Sequence, residues 1–318
     1  VPLLVIKGRG FMKILIVYTG GTIGSSLKVS LIAPDKMQKS ELVKGFEDVD
    51  FEYAEPYFIL SEQLNGKNIT ELIQCVGDNL NKGYDGIIVT HGTDTLQYSA
   101  SALSLAFGDS EIPIVLVSSN YVLGDSRANG SDNFKFAVKF IKEGIGGVFV
   151  SYKNTGAKPE IHLGSQLLAH EIYSDDVKSL GGSFGYFEGD KFIKNRDKSK
   201  EIYLDKFILN EFSSVLWLRA YAGIRAVDTT GYKAVLLEGY HSGTLPTLSQ
   251  EFKDFCKKSD APIFFLGATD GDKYESTKLF EELGIKLLPK ISPIYAFVKL
   301  WAIADNNLDV DRLLFNYQ

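Results

Sequence analysis

Seven short apolar runs, at residues 13–18, 86–90, 113–117, 147–152, 214–218, 233–237 and 262–266, punctuate the chain. Between them lie stretches with apolar residues at helical spacing, at 72–80, 96–107, 134–141, 249–258, 277–283 and 296–304. Runs apolar on both faces predict strands buried on both sides, and their alternation with helices predicts parallel sheets covered by helices.

The alternation breaks once. From residue 189 to 206 the chain is polar and dense in charge, with Asp190, Lys191, Lys194, Arg196, Asp197 and Lys198 in close succession. The expected organisation is therefore α/β throughout: a larger N-terminal parallel-sheet domain over 12–188, a linker over 189–212 and a smaller C-terminal α/β domain over 213–318. No internal repeat or low-complexity segment interrupts it.

Composition narrows the function classes. A hydrophobic share of 45% and a charged share of 23% are ordinary for a globular protein. The formal net charge of -6 argues against nucleic acid as a partner, since such binding needs a basic face. No apolar stretch reaches the roughly 20 residues of a membrane span. Residues 1–11 lack the small-residue cleavage site of a secretion signal, and Met12 reads as a natural start. Cys75 and Cys256 form no CxxC motif and read as reduced core thiols, so the expected location is cytoplasmic, with no metal and no cofactor.

Two strand ends are rich in small polar residues: Thr19-Gly20-Gly21-Thr22-Ile23-Gly24 after the first run and His91-Gly92-Thr93-Asp94-Thr95 after the second. In open parallel sheets ligands bind beyond the carboxyl ends of strands, so both turns belong on one rim. The glycines let main-chain N–H groups approach a ligand, or simply make a tight turn. The first turn fits neither GxGxxG nor GxxxxGK[ST]. In the second, Asp94 beside Thr93 can orient a hydroxyl or a water for attack on a carbonyl. Alternatively, Asp94 or Thr93 caps the helix that starts near Leu96.

TGGTIG (19–24) and HGTDT (91–95), in this order, resemble the two signatures of the asparaginase/glutaminase family, and within it the cytoplasmic, type I branch. PIVLVSSN (113–120), Arg127, Gly130, Asn133 and YFILSEQ (57–63) continue the likeness, which runs from Met12 to the end. The resemblance implies hydrolysis of L-asparagine to L-aspartate and ammonia by acyl transfer on a threonine, with weak glutaminase activity, in a homodimer or homotetramer. It makes Thr22 the attacking residue, with Thr93 and Asp94 as the second catalytic pair. It places the substrate against Gly21, Ser61, Glu62, Gly92, Thr93, Asp94 and Ser119. Asp94 then holds the α-amino group, Ser61 the α-carboxylate and the Ser119 main chain the side-chain amide.

The sequence departs from the family in three places. The loop over 25–34 has no tyrosine, Ala169 stands where the family has a lysine, and Ile294 falls where it has an acidic residue. His170, next to Ala169, is the expected substitute as base or proton relay, with Lys158 or Tyr295 as further candidates. A different outcome of these losses is a silent sensor that binds Asp or Asn. A third reading is an amidotransferase component that supplies ammonia to misacylated tRNA. It ranks last because of the acidic balance and the absence of a recognisable extra domain.

Overall fold

The computed structural model describes residues 11–21, 23, 25–28, 31–34, 42–198, 203–268 and 274–315. Thr22, the expected attacking residue, lies outside the described residues.

The larger sheet has eight strands in the order β10-β9-β8-β7-β6-β5-β1-β4. These are β1 (Met12–Tyr18), β4 (Val49–Ala54), β5 (Gly86–Thr90), β6 (Pro113–Val117), β7 (Gly147–Tyr152), β8 (Glu160–Leu163), β9 (Gly185–Glu188) and β10 (Lys191–Lys194). A hairpin of β2 (Ser25–Lys28) and β3 (Leu31–Pro34) lies between β1 and β4 in the chain. Strands β4, β1, β5, β6 and β7 are parallel, whereas β8, β9 and β10 run antiparallel. The expected parallel sheet is thus correct for its centre and incomplete at one edge. Strands β5, β6 and β7 are buried at every position, as their uninterrupted apolar runs require. Strand β10 falls inside the charge-dense stretch expected to be a linker. It is held by a two-residue turn at Gly189 (φ 61°) and Asp190, and by Phe192 against Phe140 (5.1 Å between ring centroids) and Phe187 (5.3 Å).

Helices α1 (Gly66–Gly77) and α2 (Leu96–Phe107) cover one face, and α3 (Gly130–Lys142) covers the other. A reciprocal pair of side-chain bonds, Asn65 with the Asn68 N–H and Asn68 with the Asn65 N–H, starts α1. The second sheet, β11 (Val215–Arg219), β12 (Ala234–Glu238), β13 (Ile263–Leu266) and β14 (Ile285–Leu287), is entirely parallel. Helix α4 (Gln250–Lys258) packs on one of its faces through Phe252, Phe255 and Cys256. Helix α5 (Pro293–Asp305) joins the two sheets: Phe297 meets Tyr98 of α2 at 6.1 Å and Trp217 of β11 at 5.2 Å. Its start is set by the Ser292 hydroxyl, which accepts from the Tyr295 N–H, with Pro293 behind it. The last described element is the short helix α6 (Val310–Phe315). Where a helix over 277–283 is expected, a 3-10 turn at Glu275–Leu279 precedes β14, and Gly284 (φ 67°) stops any continuation.

Strand β1 is the pivot. The chain first passes to β4 on one side of it and then returns to β5 on the other. A crevice between two connections that leave in opposite directions opens at such a switch point, beyond the carboxyl ends of β1 and β5. The described residues of both signature turns lie there.

Candidate active site

The two turns touch. The Thr19 hydroxyl donates to the Thr90 carbonyl at 2.7 Å, tying the end of β1 to the end of β5. Gly20 (φ 98°) then pairs with Ile59, and the Gly21 N–H donates to the Ile59 carbonyl at 3.0 Å. Gly21 (φ 73°) presses on the second turn so closely that a Cβ there would lie 2.2 Å from the Gly92 nitrogen. A Cβ on Gly92 would in turn lie 2.4 Å from Ser61 Oγ. Only glycine satisfies both the backbone angle at 21 and the spacing at 92. Three segments remote in sequence therefore meet at Gly21, Gly92 and Ser61.

Ser61 opens a 3-10 turn, Ser61–Gln63, with Glu62 exposed on it. The Ser61 hydroxyl donates to Asp94 Oδ2 at 3.3 Å, and its carbonyl accepts from the Thr95 hydroxyl at 2.8 Å. This arrangement replaces the expected helix cap. The N-cap of α2 is Thr95, not Asp94 or Thr93, and its hydroxyl serves Ser61 rather than the helix. Among the described residues, the Thr93 and Asp94 N–H groups donate to no protein acceptor. They sit at the amino end of a 12-residue helix, where main-chain donors and the helix dipole favour negative charge.

His91 lies beneath this turn and is buried. Its Nδ1 is 2.8 Å from the Gly92 carbonyl, which only accepts, and its Nε2 is 2.8 Å from Ser99 Oγ. Nδ1 therefore carries the hydrogen, and Nε2 accepts from the serine. Burial pushes the imidazole down to about 4, so the ring is neutral at neutral pH.

His170 reaches the turn from the other side. Its Nε2 faces the Thr93 carbonyl at 3.2 Å and its Nδ1 the Asp176 carbonyl at 3.0 Å. Thr93, Asp94, His170, Glu171, Tyr173 and Asp175 line a cleft of about 310 Å³. Tyr173 stands in the left-handed region (φ 66°), an uncommon conformation for a bulky residue. Ser119 is buried just past β6; its hydroxyl donates to the Tyr121 carbonyl and accepts from the Gly130 N–H at 3.2 Å. Its side chain is thus committed to the turn, leaving the main chain for any ligand. Asn133 holds the neighbouring Ser118 carbonyl at 2.8 Å.

The other expected substitutes are elsewhere. Lys158 is ion-paired with Glu188 of β9 at 2.8 Å, which raises its ammonium above the ordinary lysine range. Strand β9 is four inter-strand spacings from β5, about 19 Å at the usual separation of sheet strands. Tyr295 is buried in α5. Among the described residues no group of three or more His, Cys, Asp or Glu is arranged to hold a metal ion. Among them, too, no helix is long and apolar enough to cross a membrane.

Among solved structures, the thermostable L-asparaginase from Thermococcus kodakarensis shares this fold with a TM-score of 0.80 over 95% of each chain, at 21% identity. L-asparaginase I from Vibrio cholerae does so with a TM-score of 0.72 over 96% of each chain, also at 21% identity. The architecture is that of the asparaginases. In sequence, the family described as Asparaginase, N-terminal, matches residues 13–169, which include both signature turns. A glutamyl-tRNA(Gln) amidotransferase component from Methanococcus maripaludis is 27% identical over 335 residues, 96% of this chain and 79% of its own. The L-asparaginase of Thermococcus kodakarensis is 26% identical over 299 residues, 86% of this chain and 87% of its own. Residues 13–169 thus match the asparaginase family, and the chain as a whole shares the fold of the asparaginases.

Proposed function

We propose that this protein hydrolyses the side-chain amide of L-asparagine, giving L-aspartate and ammonia, with weak action on glutamine. One observation carries the reading: Gly21, Gly92 and Ser61 converge on a turn whose Thr93 and Asp94 N–H groups are unengaged among the described residues and whose Asp94 carboxylate faces Ser61. Such a turn has a carboxylate for an ammonium group, a hydroxyl for a carboxylate and main-chain donors for an oxyanion.

In this reading the Thr22 hydroxyl oxygen adds to the amide carbon, and the developing oxyanion is held by main-chain N–H groups. The tetrahedral adduct collapses, the C–N bond breaks, and the nitrogen leaves as ammonia with the proton given up by the hydroxyl. Water, oriented by Thr93 and Asp94, then cleaves the ester and restores Thr22. His170 carries the proton in place of the missing lysine, swinging off the Thr93 carbonyl to do so. Ser61, Glu62 and the Ser119 main chain complete the substrate contacts. The reading includes a division into a larger N-terminal and a smaller C-terminal domain that falls after β10, a homodimer or homotetramer, and a cytoplasmic location.

The amidotransferase components among the relatives favour a second reading, in which ammonia is passed to a partner rather than released. Assaying the isolated chain for ammonia with asparagine and with glutamine, alongside calorimetry with L-aspartate, decides among the alternatives. Steady turnover of asparagine by the chain alone is the expected result. Aspartate binding without ammonia would leave a sensor, and neither binding nor ammonia would overturn the amidase reading. Ser61→Ala should weaken aspartate binding by about tenfold, the loss of one hydrogen bond to a charged group, roughly 1.5 kcal/mol. An unchanged dissociation constant would remove Ser61 from the substrate site.

A further inference from the structure

We infer that His91 is a positioning residue that aims the Thr93 N–H into the cleft, through a single tautomer set by the Gly92 carbonyl and supported by Ser99. The inference rests on the amidase reading for its kinetic consequence and on geometry alone for the rest.

The Gly92 carbonyl and the Thr93 N–H belong to one peptide unit. In a trans amide the two groups point in opposite directions within one plane. The Nδ1–H of His91 holds the Gly92 oxygen at 2.8 Å on the buried side of the turn. The Thr93 N–H is thereby directed away from the core, to the side on which Thr93 and Asp94 line the cleft. A glycine at 92 gives this peptide unusual freedom to rotate, so the clamp is needed where the close approach to Gly21 and Ser61 forbids a side chain.

The clamp works in one tautomer only. With the hydrogen on Nε2, Nδ1 would present a lone pair to the Gly92 oxygen, and two acceptors would face each other at 2.8 Å. The acceptor-only Gly92 carbonyl excludes that form, and Ser99, on the first turn of α2, complements the one that remains. The Ser99 hydroxyl lies 2.8 Å from Nε2 and donates there. The ring itself is enclosed, and the residue's backbone N–H is fixed on the Val117 carbonyl at 2.9 Å, so His91 is anchored to strand β6 as well as to α2. The turn that presents the oxyanion donor is thus braced from below by a neutral histidine that never touches substrate.

The tautomer is read directly from long-range nitrogen–proton correlation spectra of the histidine ring at neutral pH. A neutral ring with hydrogen on Nδ1 is expected; hydrogen on Nε2 would overturn the inference. In steady-state assays His91→Leu should lose about 100-fold in kcat, the scale of one oxyanion donor, with KM and the aspartate dissociation constant within threefold of the parent. His91→Asn, whose side-chain NH2 lies near the position of Nδ1, should recover to within tenfold. A kcat within threefold of the parent in the leucine variant, or an asparagine variant no better than leucine, would sink the idea. A purely structural histidine would lower the melting temperature without this split between kcat and KM. Ser99→Ala gives a milder route, expected to cost severalfold in kcat, should the leucine variant fail to fold. If the parent itself releases no ammonia, the amidase reading fails and the inference is still decided. The tautomer assignment stands by itself, and the Thr93 amide resonance should shift on adding L-aspartate in the parent and the asparagine variant but not in the leucine variant.

Discussion

Gly21→Ala should reduce kcat/KM for asparagine by 100-fold or more and abolish calorimetric aspartate binding, while the chain still folds. Two independent effects act at this position. The backbone is left-handed there (φ 73°), which costs an alanine roughly 1–2 kcal/mol relative to glycine. The larger effect is steric. The new Cβ would sit 2.2 Å from the Gly92 nitrogen and 2.4 Å from its Cα, and neither obstacle is a side chain that can rotate away. Relief comes only by separating the two turns by about an ångström. That displacement moves the Thr93 donor and the Asp94 carboxylate relative to the first turn, and displacements of this size are enough to cost about 100-fold in a preorganised site. The sheet beneath is untouched, because β1 and β5 stay joined by five paired residues and by the Thr19 bond to Thr90. Circular dichroism should therefore match the parent. A variant with kcat/KM within threefold of the parent would mean that the contact between the turns is not part of the working site.

That contact shows how far this molecule is legible in its sequence. Two glycine-rich turns after two buried strands are enough to place both on one rim, because strand ends of a doubly wound sheet leave little alternative. Their mutual contact is a matter of strand order, and the position of β1 between β4 and β5 is not written in local pattern. Strand β4 passes unnoticed because its residues, Val49-Asp50-Phe51-Glu52-Tyr53-Ala54, are largely exposed and give no continuous apolar run. The edge strands β8 to β10 are short and antiparallel, and β10 is disguised by the lysines that protect an edge. Within the site, Ser61 is reached through family resemblance alone, since nothing in YFILSEQ marks it. His91 is the residue that sequence reading passes over. A histidine between a buried strand and a glycine is a recognisable signal, but its two bonds depend on the Gly92 carbonyl turning inward and on Ser99 lying one helical turn beyond the cap. The helix cap expected of Asp94 is displaced for a related reason. A carboxylate beside Ser61 and a Thr95 hydroxyl drawn to the Ser61 carbonyl compete for the same groups, and the third segment wins.

Asp94→Ala should then separate recognition from chemistry. The Asp94 carboxylate is exposed on its turn and shares one oxygen with the Ser61 hydroxyl at 3.3 Å, leaving its other oxygen to accept from an ammonium group. A charge-assisted bond of that kind contributes about 1.5–3 kcal/mol, so the variant should bind L-aspartate some 10- to 150-fold more weakly. Succinamate, asparagine without its α-amino group, provides the second arm of a cycle. Against the parent it should be a poor substrate, since Asp94 is left without a partner beside Ser61. Against Asp94→Ala that penalty should largely vanish, and the difference in kcat/KM between the two substrates should shrink by about 30-fold, a coupling near 2 kcal/mol. Because the cycle compares ratios, any general damage done by the substitution cancels. A ratio that stays constant would assign Asp94 to the chemical step alone, orienting the attacking water beside Thr93, and the α-amino group would need another partner among the residues of the cleft.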